Sequence, residues 1–286
     1  MTKVRGLVVL LAAGAFCAMA GAAAAGGPSP GVVFGGTGVT DPGGQVRYVA
    51  VSNGTTSVVQ AIAVRTGRVL HSTWLEGRLG IPLVAFDGRT EGLTPDGKTL
   101  AVASFIAGPA PSLTSTFALL DTQKLTLVRH ITLRGQFSYD AISPDGNMLY
   151  LIQYLASRNA ARYLVRAYDV TARRLVAGAI SDKDEKGAMT GSPVTRTSTS
   201  SGSWAYTLYA RGDSEAPFVH ALDTAHRKAV CIDLPDSWKK TAETLFKVRM
   251  SLVGTKLILR QPGVGQLASI DTRTFAVQTY RAPLGR

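Results

Sequence analysis

Short runs of alternating or continuous apolar residues recur along the chain, separated by clusters of turn residues. Val46-Arg-Tyr-Val-Ala-Val-Ser52, Thr99-Leu-Ala-Val-Ala-Ser104, Met148-Leu-Tyr-Leu-Ile-Gln-Tyr154 and Trp204-Ala-Tyr-Thr-Leu-Tyr209 are runs of this kind. Their length, their aromatic and β-branched content and their period near two predict strands. The turn chemistry is most explicit in Ala141-Ile-Ser-Pro-Asp-Gly-Asn-Met148. Pro144 presets φ, Asp145 hydrogen-bonds its own backbone, and Gly146 takes the positive φ that other residues resist. Leu93-Thr-Pro-Asp-Gly97 is a close copy ahead of the next apolar run. Helical pattern is scarce. Residues 236–244 predict one short helix, capped by Asp236 or Ser237, in a connection.

A second unit recurs: an apolar strand that ends in Asp-Thr. It reads Phe117-Ala-Leu-Leu-Asp-Thr122, Phe218-Val-His-Ala-Leu-Asp-Thr224 and Gln266-Leu-Ala-Ser-Ile-Asp-Thr272, and more loosely Val165-Arg-Ala-Tyr-Asp169. In the first copy, Gln60-Ala-Ile-Ala-Val-Arg-Thr-Gly67, Arg65 is read in the aspartate place. A Pro-Asp-Gly unit, or a remnant such as Asp41-Pro-Gly-Gly44, precedes each Asp-Thr unit. Each repeat of about fifty residues then yields four strands; in the fourth they fall at about 194–199, 204–210, 218–222 and 228–234. A four-stranded twisted sheet cannot bury both faces alone, and packing such sheets around an axis buries them. The expected fold is therefore all-β: a β-propeller of about five four-stranded blades, near residues 32–83, 84–135, 136–191, 192–244 and 245–286. A β-sandwich is the alternative, but it gives no reason for repeated turn chemistry.

The Ser-Pro-Asp-Gly and Asp-Thr strands resemble the YVTN-type β-propeller repeats of secreted bacterial proteins, relatives of WD-type repeats. The resemblance covers nearly all of the chain after the leader and implies the fold. It names no activity, because the motifs are turn and strand chemistry.

The first residues carry a different signal. Lys3 and Arg5 precede the apolar 6–20 and the small-residue run Ala22-Ala-Ala-Ala25. That layout is a secretory signal peptide over residues 1–25, which leaves 26–286 as a single propeller domain, exported to the envelope or outside the cell. No twin-Arg pair is present, and the bulky Phe16 before Cys17 argues against lipoprotein processing. No later stretch is apolar and long enough to span a bilayer. Cleavage removes Lys3 and Arg5 from a formal net charge of +12. The remaining basic residues are scattered, with no dense block interleaved with aromatics, so nucleic acid is not an expected partner. Cys231 alone would remain, which rules out an internal disulfide; it is read as a buried structural thiol.

Propellers bind ligands near the axis or on a rim. Aligned on the Pro-Asp-Gly turns, Glu91, Asp140, Arg196 and Val248 fall in one column, with Arg249 adjacent and Gly38 as the first-repeat equivalent. Glu91, Asp140, Arg196 and Arg249 are thus the candidate ligand-binding residues of a central channel. The competing reading is that these charges pair with one another as structure. Among the aromatics near the third and fourth turns, Tyr139 and Tyr154 are the candidate rim residues, and blade-to-blade packing accounts for most of the others. His71, His130, His220 and His226 show no metal spacing; His220 and His226 would sit on neighbouring strands without a third ligand. Gly35-Gly-Thr-Gly38 lacks the helix and Lys-Ser/Thr pair of a phosphate loop, and Arg211-Gly-Asp213 is read as a chance match. No catalytic residue, metal or cofactor is assigned. The expectation is a non-catalytic module that binds a protein, peptide or glycan at the envelope. The alternative is a propeller enzyme, a lactonase, other hydrolase or dehydrogenase-like protein, with a polar site at the central channel.

Overall fold

In the computed structural model of the protein, residues 30–104, 114–155, 162–182, 187–211, 215–239 and 242–283 are described. The leader, Cys17 and Gly212-Asp213 lie outside the described residues. The chain begins with β1 (Gly31–Val33), then builds the first blade from β2 (Val39–Thr40), β3 (Val46–Ser52), β4 (Thr56–Ala63) and β5 (Val69–Glu76). The second blade holds β6 (Leu79–Leu83), β7 (Thr99–Ser104), β8 (Thr114–Asp121) and β9 (Thr126–Arg134). The third holds β10 (Phe137–Ile142), β11 (Met148–Tyr154), β12 (Tyr163–Asp169) and β13 (Arg174–Leu175). The fourth holds β14 (Ser192–Ser198), β15 (Trp204–Ala210), β16 (Phe218–Asp223) and β17 (Lys228–Asp233). The fifth holds β18 (Arg249–Val253), β19 (Lys256–Gln261), β20 (Gly265–Asp271) and β21 (Val277–Thr279). All neighbours within a sheet are antiparallel. The architecture is an all-β, five-bladed propeller.

The two recurring units hold each other. In the second blade the Thr122 hydroxyl donates to the Gly97 carbonyl at 2.6 Å, and the Thr122 N–H donates to the Lys98 carbonyl. Thr224 repeats both bonds on Gly202 and Ser203. In the second, third and fourth blades the hydroxyl that opens the inner turn accepts the N–H five residues on: Thr99 N to Thr94, Met148 N to Ser143, Trp204 N to Thr199. The aspartate of Asp-Thr accepts backbone N–H bonds two or three residues on, as from Lys124 to Asp121 and from Ala172 to Asp169. Four residues after the aspartate the chain turns left-handed, at Leu125, Arg173, Arg227 and Phe275.

That last feature corrects the register of the first repeat. Gly67 has φ +68 and donates to the Ala63 carbonyl, as Phe275 donates to that of Asp271. β4 ends at Ala63, so Ala63, not Arg65, stands in the aspartate place. A turn without the carboxylate is tolerated because glycine adopts φ > 0 at no steric cost.

Two strands also depart from expectation. β6 joins the second sheet, so Leu79–Leu83 leaves the first blade, and β1 pairs with β6 rather than with the first blade. The connection at 236–244 forms a single 3-10 turn, Asp236–Trp238, and one helical turn, α1 (Ala242–Leu245). Pro235 is the N-cap of the 3-10 turn, and it offers no side-chain acceptor. Trp238, fully buried between the fourth and fifth blades, anchors the segment.

Four apolar cores lie in the seams between consecutive blades. Tyr48 and Leu79 belong to the first seam, Phe117 and Leu151 to the second, Tyr150 and Phe218 to the third, and Leu208 and Leu257 to the fourth. No such cluster joins the fifth and first blades among the described residues, and Trp74 of the first blade and Val253 of the fifth are exposed. At the axis, the inner strand of the second blade is interrupted. Its excursion crosses to the fourth blade, where Phe86 N and Asp87 N donate to the carbonyls of Pro193 and Val194 at 2.9 and 3.1 Å. Phe86 also meets Phe246 edge-on.

Candidate functional site

The crossing segment brings three blades together at the axis. Asp140 is the extra residue of a bulge in β10, which aims its side chain at the fourth blade. Arg196, on β14, lies opposite it and donates from Nη1 to Asp140 Oδ1 at 2.7 Å. Arg196 Nε lies 3.4 Å from Glu91 Oε1, an ion-pair contact rather than a hydrogen bond. Ser198 donates to the same Glu91 oxygen at 3.0 Å, and Arg89 Nε approaches it at 3.9 Å. Glu91, Asp140 and Arg196, a column in the sequence, are thus a contact cluster in space.

Arg249 does not join them. Its Nη1 donates to the carbonyls of Phe246 and Val248 at 2.7 and 2.9 Å. The fifth inner turn is a two-residue hairpin in which Val253 pairs with Lys256, so it is shorter than the others. The register therefore places the buried Met250, not Val248 or Arg249, in the column.

Arg196 and Asp140 are buried, while the Glu91 side chain keeps 15% exposure. Burial works against the charge on Arg196, but Glu91 and Asp140 outweigh it and raise its pKa. A buried arginine with two carboxylates stays ionised, so the pair is a fixed dipole under the axis rather than a proton donor. Tyr139 is buried among the second and third blades instead of standing on a rim. Burial pushes its hydroxyl well up, with Glu91 adding to the effect, so it stays protonated. Tyr154 is half-buried, within hydrogen-bond reach of Ser138. Neither tyrosine forms an exposed platform.

A cavity of about 190 Å³ opens on the face of the inner turns, above this cluster. It is lined by Thr40 and Pro42 of the first blade, Arg89 to Glu91 and Pro95 of the second, Tyr139 of the third, and Ser198 to Ser200 of the fourth. Gly202 shuts one side, because its backbone packs directly on Pro95. The carboxylate Glu91 therefore forms a polar wall with Oε1 fixed by Ser198, Arg196 and Arg89. Asp140 and Arg196 lie behind it and are not part of the lining.

Behind the cluster, Arg196, Thr207, His220 and Cys231 form one cross-strand row on the fourth blade. The sequence predicts a buried structural thiol at Cys231. It is half-buried, forms no disulfide, and stands opposite His220. His220 is itself buried, and its pKa falls to about 4 because burial disfavours the imidazolium, with Arg196 adding to that against the pull of Asp140 and Asp182. His226 lies in the exposed turn on Asp223 at 2.9 Å, so the two histidines do not converge. Among the described residues no three His, Cys, Asp or Glu side chains gather as a metal site. The signal for the His220 row was pairing register, which a single sequence does not carry.

No family model matches the chain, and no curated protein matches it. Solved structures do. The chain aligns with Kuenenia stuttgartiensis hydrazine synthase at 16% identity and TM-score 0.42, over 82% of this chain and 75% of that one. It aligns with the Myceliophteria thermophila Cps50 (Swd1) β-propeller domain at 13% identity and TM-score 0.46, over 86% and 66%. A functionally unknown protein from Desulfotomaculum acetoxidans aligns at 13% identity and TM-score 0.48, over 85% and 68%.

Proposed function

We propose that the protein is an exported, non-catalytic binding module that takes a neutral, hydroxyl-rich glycan in the axial cavity. One observation carries this reading. Glu91 is a carboxylate held rigidly at the cavity wall, with Oε1 engaged by the protein and Oε2 without a described hydrogen-bond partner. A preoriented acceptor of that kind suits a sugar hydroxyl, which donates a charge-assisted hydrogen bond. The Thr40 and Ser200 hydroxyls and the Pro42 and Pro95 rings add polar and apolar contacts of the sort a sugar ring uses. The Ser-Pro-Asp-Gly and Asp-Thr units support a place among the YVTN-type repeats, and the leader pattern supports export. Among the described residues no helix is long and apolar enough to cross a membrane.

The test is a thermal-shift screen of the chain from Gly26 onward against neutral oligosaccharides, peptidoglycan fragments, peptides, lactones and divalent cations, with and without chelator. A ligand that binds only the folded state raises the melting temperature by mass action. The expected result is a shift with a glycan that Glu91→Gln weakens about tenfold in affinity, the scale of one lost charge-assisted hydrogen bond. A shift produced only by a divalent cation and abolished by chelator would overturn the reading in favour of a metal-dependent enzyme. Export is checked separately by mass spectrometry of the secreted protein, whose N-terminus is expected near Gly26; an intact Met1 in a membrane fraction contradicts it.

A further inference from the structure

We infer that the outer seam between the third and fourth blades carries a second binding site, for a ligand bearing a phosphate-type oxyanion. Arg166 on β12, Arg174 on β13 and Arg227 in the β16–β17 turn line one cavity of about 380 Å³. None of the three forms an ion pair with a described residue. Asp169 is the one carboxylate in the lining; it stands across the strand pair from Arg174, and its Oδ1 accepts the Ala172 N–H at 2.7 Å. The cavity wall thus carries three guanidinium groups against one carboxylate, an excess of positive charge.

One of the arginines is placed by the fold rather than left to swing. Arg166 donates from Nη1 to Gln153 Oε1 at 2.6 Å and from Nη2 to the Val176 carbonyl at 3.2 Å. Its Nε is buried without a partner among the described residues. Arg227 stands at the left-handed position of its turn, and its exposed side chain lines the same cavity. Arg174 sits on the exposed edge strand and closes the other side.

Guanidinium groups present planar forks of N–H donors that match the oxygens of phosphate, often two at a time. At about 30 Å³ per water, the cavity has room for on the order of ten waters, more than a single orthophosphate needs. A second cavity of about 170 Å³ shares Val176, Ala177 and Arg227 with the first and runs on to His226. The ligand class is therefore a diphosphate or a phosphodiester with a polar group attached. The site shares no lining residue with the axial cavity.

The experiment is calorimetric titration of the chain from Gly26 onward with pyrophosphate, orthophosphate and a short glycerol phosphate oligomer. Pyrophosphate is expected to bind, and to bind more weakly as ionic strength rises. The exposed double substitution Arg174→Ala/Arg227→Ala should reduce affinity at least about tenfold. Arg174→Lys/Arg227→Lys should retain part of it, and Arg65→Ala/Arg68→Ala, on the first blade, should leave it unchanged. Circular dichroism checks that each variant folds. Tighter binding of the oligomer than of pyrophosphate assigns the site to a polymer; the reverse assigns it to a free diphosphate. Equal affinity in the wild type and the Arg174→Ala/Arg227→Ala variant, or no pyrophosphate binding at all, overturns the proposal.

Discussion

Arg196 Nη1 lies 2.7 Å from Asp140 Oδ1 across the seam between the third and fourth blades, with both side chains at or below 5% exposure. A buried pair is costly to form and costlier to break, because removing one partner strands the other charge away from water. Asp140→Ala is therefore expected to lower unfolding stability by about 3–5 kcal/mol, measured by urea denaturation. The double variant Asp140→Ala/Arg196→Met removes both charges and should recover most of that loss. Glu91→Gln, at a partly exposed position, should change stability by only about 1 kcal/mol. A loss for Asp140→Ala no larger than that for Glu91→Gln would mean that the pair is solvated after all.

The column of Glu91, Asp140 and Arg196 was legible because it rests on turn chemistry. Ser143, Thr94 and Thr199 each hold the same inner turn by the same hydroxyl bond, so counting back from the turn lands on equivalent places. Counting failed where the turn changed length. The fifth blade has a two-residue hairpin, which shifted the column from Met250 to Val248. It also failed in the first repeat, where Gly67 replaced a left-handed side chain and the aspartate became Ala63. The excursion that closes the axis had no local signal: its bonds to Pro193 and Val194 join segments about a hundred residues apart in sequence, and no alternation marks them. The same holds for β1, three residues long and paired with the second blade.

His220 makes stability depend on pH. Its folded pKa is about 4, below the unfolded value of 6.5. Between those values the unfolded chain binds a proton that the folded chain refuses, so stability falls as pH drops through that window and levels off below it. The side chain is almost fully buried, and the full difference corresponds to about 3 kcal/mol. Urea unfolding from pH 7 down to the carboxylate range should trace this slope in the wild type. His220→Gln should flatten it; an unchanged slope in that variant assigns the dependence to other groups.

The first repeat lacks the carboxylate that its sister turns use. Asp271 accepts the N–H groups of Arg273 and Thr274 at 2.9 and 3.0 Å, and Ala63 occupies the matching place with nothing to offer. Ala63→Asp should supply the same acceptor to Arg65 and Thr66 and stabilise the protein by about 0.5–1.5 kcal/mol. In a domain of this size that is a rise of roughly 2–4 °C per kcal/mol in the melting temperature. Arg65→Asp, which follows the alignment read from sequence alone, should give no such gain. The contrast between the two substitutions tests the corrected register directly.

Gly44 and Gly202 share nearly one backbone conformation, φ +68 and +69, yet differ in their surroundings. A Cβ at Gly44 meets nothing within 4 Å, whereas at Gly202 it would fall 2.3 Å from Pro95 Cγ. Gly44→Ala is thus expected to lose only the left-handed penalty, about 1–2 kcal/mol. Gly202→Ala adds overpacking between the fourth and second blades, about 1–3 kcal/mol more. Because Pro95 and Gly202 both line the axial cavity, the second variant should also weaken glycan binding while the first does not. Equal destabilisation by the two substitutions would show that Pro95 yields freely. The turns of the second and fourth blades would then not be locked against each other, and the cavity they frame would lack the rigidity that a preorganised Glu91 requires.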